Sequence, residues 1–128
     1  MLNILIVNEN VIEIDINKTR RLFTQLRASS VAQRCNNIQE IIKLFECTHD
    51  KVLKTYDCII YKIDVTHIVY NDIRYFNECK QIILGIQDRY SKYISRFVVM
   101  NSGFISRRLY NIISIFILQE MKYKIRFE

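Results

Sequence analysis

Apolar and polar positions along this chain recur with two different periods, and the changes of period mark out its elements. Leu2 to Val7 is a short apolar run, and Val11, Ile12, Ile14 and Ile16 form a second. Asn8-Glu9-Asn10 lies between them and favours a turn, so the chain is expected to open with a strand pair or hairpin. From Asn17 the spacing becomes helical, with Leu22, Phe23 and Leu26 on one side. Ser29 or Ser30 then supplies an N-cap oxygen for a longer helix, whose stripe is Val31, Cys35, Ile38, Ile42 and Phe45. Thr48 to Lys54 reads as a loop.

Cys58 to Ile63 is a compact, β-branched apolar run ending at Asp64, the pattern of a strand buried on both faces of a parallel sheet. A helix is expected from about Asn71 to Tyr90, because Phe76, Cys79, Ile83, Ile86 and Tyr90 step by three and four. Phe97 to Met100 reads as another buried strand, Phe104 to Leu118 as a long apolar helix, and Lys124 to Phe127 as a last short strand. The order β, α, α, β, α, β, α, β predicts an α/β fold, a mostly parallel mixed sheet covered by helices. Its crossovers are expected to be right-handed.

The helix expected at Phe104 to Leu118 departs from an ordinary amphipathic pattern. Ile105, Leu109, Ile112, Ile113 and Phe116 fill one face, while Tyr110, Ile115, Ile117 and Leu118 make most of the remainder apolar. Only a strip through Arg107, Asn111 and Ser114 is polar. A helix apolar nearly all round is either deeply buried or meets lipid. Arg107, Arg108 and Lys122 flank it, as a helix resting on an anionic membrane surface requires.

Composition narrows the choice of function. The chain has 128 residues, half of them hydrophobic, and reads as a single domain able to build a real core. Its net charge of +6 draws it toward anionic partners. The cations are scattered, with clusters only at Arg20-Arg21, Arg107-Arg108 and Lys122-Lys124-Arg126, so most belong to solvated faces. Cys35, Cys47, Cys58 and Cys79 form no Cys-x-x-Cys pair and are expected to be reduced, mostly buried thiols of a cytoplasmic protein. No signal peptide or spanning segment is visible.

Candidate chemistry is sparse. Cys47-x-His49 has no second pair at ligand spacing, so no metal is expected, and His49 and His67 read as solvated. Asp64 ends a strand without a partner carboxylate, no serine or cysteine sits in a nucleophile elbow, and Gly85 and Gly103 are isolated. No enzyme activity and no cofactor are expected. The eight tyrosines fall mostly at helix-face positions, so nucleic acid is not the expected partner either.

One stretch carries a resemblance. Gln87-Asp88-Arg89-Tyr90-Ser91-Lys92-Tyr93, the strand ending at Asn101, the Phe104 helix and Lys124-Ile125 follow one another at fixed separations. This resembles, without a gap, the core of the CRAL-TRIO lipid-binding domain of fungal phosphatidylinositol transfer proteins. Gln87, Tyr90, Asn101, Phe104, Phe116, Lys124 and Ile125 fall on family positions, and Cys58 to Asp64 is similar to the family's central strand. The family's Tyr-Pro-Glu is Tyr90-Ser91-Lys92 here, its Asn-x-Pro is Asn101-Ser102-Gly103, and its Lys-Pro-Phe-Leu is Ser114-Ile115-Phe116-Ile117.

The resemblance implies a single CRAL-TRIO-like domain over residues 1–128, without the usual N-terminal helical region and C-terminal closing segment. It implies an apolar cavity floored by Ile60, Ile63, Phe97 and Val99. Phe104, Leu109, Ile112, Ile113, Phe116 and Ile117 would form the lid. Head-group or membrane-surface contacts fall to Lys92, Arg107, Arg108, Ser114 and Lys122. Two family residues that help hold an inositol phosphate, a glutamate and a lysine, are replaced by Lys92 and Ser114, so the resemblance implies a cavity without the usual phosphoinositide contacts. The expected function is binding, transfer or sensing of a phospholipid or other hydrophobic ligand, with peripheral contact to an anionic membrane. The alternative is a degenerate interaction module with a filled core, and no protein partner is indicated.

Overall fold

A computed structural model describes residues 3–128. β1 (Leu5–Asn8) and β2 (Val11–Ile14) form the expected hairpin, antiparallel with Leu5 opposite Ile14. Glu9 makes the turn in the left-handed region, at φ 57°. Residues 1 and 2, where the first apolar run was expected to begin, lie outside the described residues. The Asp15 carboxylate accepts the Lys18 N–H at 3.0 Å and so caps α1 (Ile16–Arg27), which buries Phe23 and Leu26.

Ser30 caps α2 (Val31–Leu53), its Oγ accepting the Gln33 N–H at 3.2 Å. The stripe expected along this helix is buried only from Ile38 onward; Val31 and Cys35 are exposed. The helix also runs straight through the segment expected to be a loop. Val52 and His49 continue the spacing of Phe45 and are all buried, so packing extends the helix past its polar-looking Thr48-His49-Asp50 sequence.

β3 (Ile59–Asp64), β4 (Ile94–Met100) and β5 (Ile125–Phe127) complete a five-stranded sheet in the order β1-β2-β3-β4-β5, parallel from β2 onward. The helix expected from Asn71 is a 3₁₀ segment, Tyr70–Tyr75, followed by α3 (Phe76–Tyr90). The Asp72 carboxylate accepts the Val69 N–H at 3.0 Å and hydrogen bonds from both Nε and Nη2 of Arg20 at 2.8 and 2.7 Å, which pins this segment against α1.

Because each crossover steps one strand in the same direction, a consistent right-handed sense puts every crossover helix on one face. The aromatic contacts agree: Phe45 and His49 of α2 meet Tyr61, and Tyr110 meets Phe127. β3 is therefore not buried on both faces as its composition suggested. Ile59 and Tyr61 are fully buried, whereas Ile60 and Lys62 point to the uncovered face and are half-buried. There the row Ile6, Glu13, Lys62, Val98, Arg126 crosses the sheet, and Val98, whose ladder neighbours are Lys62 and Arg126, is buried.

After β4 comes α4 (Phe104–Ile113), then a 3₁₀ turn at Ser114–Phe116 and an extended Ile117 before α5 (Gln119–Lys122). The expected fifteen-residue helix thus breaks after ten residues. All four cysteines are free; Cys35 and Cys47 are exposed, correcting the expectation of mostly buried thiols. Among the described residues no helix is long and apolar enough to cross a membrane.

Candidate functional site: an apolar cavity beneath the α4 helix

The covered face of the sheet does not pack solidly against its helices. A cavity of about 360 Å³ lies between them. Its floor is Ile14, Ile63, Phe97, Val99, Ile125 and Phe127, one side chain from every second strand position. Ile82, Ile83 and Ile86 of α3 form one wall, Leu109, Tyr110 and Ile113 of α4 another, and Phe23 of α1 closes an end. At 360 Å³ it sits near the lower end of the roughly 300–1,000 Å³ typical of ligand sites.

Of the ten pocket or lid residues singled out in the sequence, the structure brings Ile63, Phe97, Val99, Leu109, Ile113 and Ile117 to this cavity. Ile60 stands on the opposite face, because its neighbours Ile59 and Tyr61 point inward and the pleat alternates. Phe104 and Ile112 point outward, 71% and 42% exposed. Phe116 leaves the lining because the helix has ended: its ring packs on Phe76 with centroids 5.4 Å apart, and the Lys80 ammonium lies 4.6 Å from the ring centre. Sequence reasoning missed Tyr110, Ile82, Ile125 and Phe127. Phe127 was visible only as part of a short terminal strand, and its place in the floor depends on β5 pairing beside β4.

The five head-group candidates do not converge. Arg107 and Arg108 lie in the first turns of α4, beyond the carboxyl end of β4, with their guanidinium groups over Phe127 and Phe104. Lys92 and Lys122 shortly precede β4 and β5, at the opposite, amino ends of these strands. The Ser114 hydroxyl donates to the Asn111 carbonyl at 2.9 Å, an internal helix-end bond.

Residues that carried the family resemblance have structural work instead. The buried Gln87 side chain donates to the Phe116 carbonyl at 2.7 Å and accepts the Leu118 N–H at 3.0 Å, so it holds the chain out of the helix that its composition favours. Tyr90 donates to Asp50 at 2.8 Å; burial and that carboxylate push its phenol up to about 12. Asn101, left-handed at φ 58°, donates to Asp64 at 3.0 Å. Hydrogen bonds from Thr66 and Asn101 hold the Asp64 carboxyl down to about 2. The Lys124 ammonium donates to the Ser91 carbonyl at 2.7 Å. Replacing Gln87 by leucine is expected to cost about 1–3 kcal/mol, since two partly buried backbone groups lose their partner. Urea unfolding measures the loss, and faster amide exchange at Leu118 locates it.

His49 was read as a solvated loop residue and is instead completely buried in α2. Its Nε2 shares a hydrogen bond with the Tyr61 hydroxyl, its ring meets Tyr90 edge-on with centroids 4.4 Å apart, and its Nδ1 has no partner among the described residues. Burial lowers its pKa to about 4, outweighing the upward pull of Asp50. The only cue in the sequence was its position four residues after Phe45 on a helix that the polar neighbours disguised.

No protein-family model matches the chain, and neither does the sequence of any curated protein. Among solved structures, the crystal structure of Sfh5 superposes with a TM-score of 0.70 at 14% sequence identity, over 98% of this chain and 46% of that chain. This chain therefore spans less than half the length of the protein it resembles. The likeness is one of fold: a mixed α/β sheet covered by helices.

Proposed function

We propose that this domain binds a small hydrophobic ligand, of lipid character, in the cavity beneath α4, and meets membranes through the outer side of the same helix. The observation that carries the reading is the cavity itself, a continuous apolar space between the sheet and α3 and α4 where a well-packed domain would have none. The Sfh5-like fold is in keeping with it. Withdrawing an acyl chain from a bilayer costs about 0.8 kcal/mol per methylene, so a carrier must return that cost with an equally apolar, water-free surface. Ile63, Phe97, Val99, Leu109 and Ile113 are such a surface.

The outer side of α4 and the 3₁₀ turn that follows it support the membrane contact. Phe104 and Ile115 are 71% and 72% exposed, Ile112 lies between them, and Arg107 and Arg108 flank the strip. Apolar side chains bordered by cations suit the interface of an anionic bilayer. The alternative, a protein-interaction module with a solid core, is disfavoured by the open space under α4.

The test is to incubate the protein with mixed liposomes, repurify it and record native mass spectra. A one-to-one adduct of lipid mass is expected. Leu109→Phe with Ile113→Phe fills the cavity with apolar volume and is expected to cut loading at least tenfold while the fold persists by circular dichroism. Undiminished loading in that folded variant would reject the cavity as the site. Ile112→Asp with Ile115→Asp is expected to abolish sedimentation with anionic liposomes and spare loading from detergent.

A further inference from the structure

We infer that two copies of this chain associate through the outer edge of β1, pairing antiparallel about Ile6 and joining their five-stranded sheets into one. A sheet edge carries backbone N–H and C=O groups without a ladder partner. An edge that is neither charged, bulged nor covered is a template for another strand. The two edges of this sheet are β1 and β5, and they differ in that respect.

The register of the hairpin fixes which groups of β1 face outward. The Asp15 N–H donates to the Ile4 carbonyl at 2.9 Å, and in an antiparallel ladder the hydrogen-bonded pairs alternate. Ile6 opposite Glu13 and Asn8 opposite Val11 are the next such pairs, so Leu5 and Val7 turn their N–H and C=O groups to the open edge. Among the described residues no side chain or loop occupies those groups. Ile6 and Val7 are 49% and 47% exposed, and no charged side chain stands between Asn3 and Asn8. A two-fold axis through Ile6 lets Leu5 exchange both backbone bonds with Val7 of the second copy. It sets Ile6 opposite its counterpart, with Cα atoms about 4.5 Å apart. The first charge past the strand, Glu9, falls opposite Asn3, so chains of net charge +6 meet along a stretch free of like-charge pairs.

The β5 edge is closed to the same partner. The Phe97 N–H donates to the Lys124 carbonyl and the Glu128 N–H to the Val99 carbonyl, both at 2.9 Å, so Ile125 and Phe127 face outward. The Arg126 guanidinium folds along that edge, and its Nη1 donates to the carbonyls of Ile125 at 3.2 Å and Tyr123 at 2.6 Å. Pairing β5 with itself about Arg126 would also set two guanidinium groups opposite one another. With this edge blocked, assembly stops at two chains. The two-fold runs perpendicular to the sheet, so both cavities and both α4 helices lie on one side of the joined sheet. A four-residue edge is small beside an obligate interface, so the association is reversible and concentration-dependent.

Sedimentation velocity of the full chain, from about 1 μM to about 1 mM, tests this. The mean mass is expected to rise from that of one chain toward that of two and no further. Ile6→Lys puts an ammonium beside Glu13 in its own sheet and opposite its counterpart in the second copy. That variant is expected to keep the fold by circular dichroism and to associate about tenfold more weakly. Ile112→Asp with Ile115→Asp, on the α4 side, is expected to leave association unchanged. In a Cys35→Ser, Cys47→Ser background, Ile6→Cys is expected to oxidise to a covalent dimer about tenfold faster than Arg126→Cys. That comparison reads the edge even where the lysine variant fails to fold. A single-chain mass at every concentration, growth beyond two chains, or undiminished association of folded Ile6→Lys would overturn the pairing. So would loss of association in the α4 variant or equal oxidation at the two edges.

Discussion

Tyr61→Ala is expected to destabilise the domain by about 3–5 kcal/mol, the range for truncating a large buried aromatic side chain. Tyr61 is 2% exposed at the centre of the sheet. Its ring stacks on Phe97 at 5.3 Å and 14°, and Phe45 and His49 surround the remainder. Truncation opens a void beside an existing cavity and also strands His49, whose Nδ1 already lacks a partner and whose Nε2 would then lose its own. For a domain whose whole stability is about 5–15 kcal/mol, that loss brings unfolding close to physiological temperature. Tyr61→Phe keeps the packing and isolates the hydrogen-bond contribution, expected at about 1–3 kcal/mol. Urea titrations followed by circular dichroism give both numbers. A loss below 1 kcal/mol for the alanine variant would mean that the aromatic cluster does not anchor the core.

The second large effect is on pH. The unfolded chain titrates His49 near its ordinary value of about 6.5, while burial holds the folded value at about 4. Below pH 6.5 the unfolded state gains a proton that the native state refuses, so stability is complete above that pH and falls as the pH drops toward 4. The full loss is about 3 kcal/mol, at 1.36 kcal/mol per pKa unit. Asp72 acts in a separate, lower window. Its burial favours the neutral acid most strongly, but the hydrogen bonds from Arg20 and the Val69 N–H and the charges of Arg20 and Arg74 together outweigh this and hold its pKa below normal, so its contribution is present above the unfolded value and lost in stronger acid. His49→Gln is expected to flatten the wild-type slope between pH 6.5 and 4 and to leave the steeper acid limb in place. An unchanged slope in the variant would show that His49 is not the group responsible.

Both effects centre on the aromatic cluster that forms the inner wall of the fold, next to the cavity and shared with it through Tyr61 and Phe97. The cluster and the clamp at Gln87 border the cavity, while Phe104 and Ile112 of α4 are exposed.

The local pattern of residues by itself determined the sequence of elements. Hydrophobic periodicity placed the hairpin, α1, α3 and the strands, and the N-cap serine marked the start of α2, because these depend on neighbours a few residues apart. Five of the pocket residues were legible for the same reason: Ile63, Phe97 and Val99 alternate along strands, and Leu109 and Ile113 are four apart on one helix, whereas Ile117 was named from the resemblance and reaches the cavity from extended chain. Tertiary structure decided the rest. Whether one or both faces of the sheet are covered follows from strand order and crossover hand, and Ile60 could not be assigned a side without them. The end of the α4 helix is set by Gln87, about thirty residues away in sequence, whose amide satisfies backbone groups that the helix would otherwise claim. His49 became a core residue because Tyr61 and Tyr90 arrive from a strand and another helix to enclose it. Burial and long-range hydrogen bonds join residues that lie far apart in the chain, and local periodicity carries no record of them.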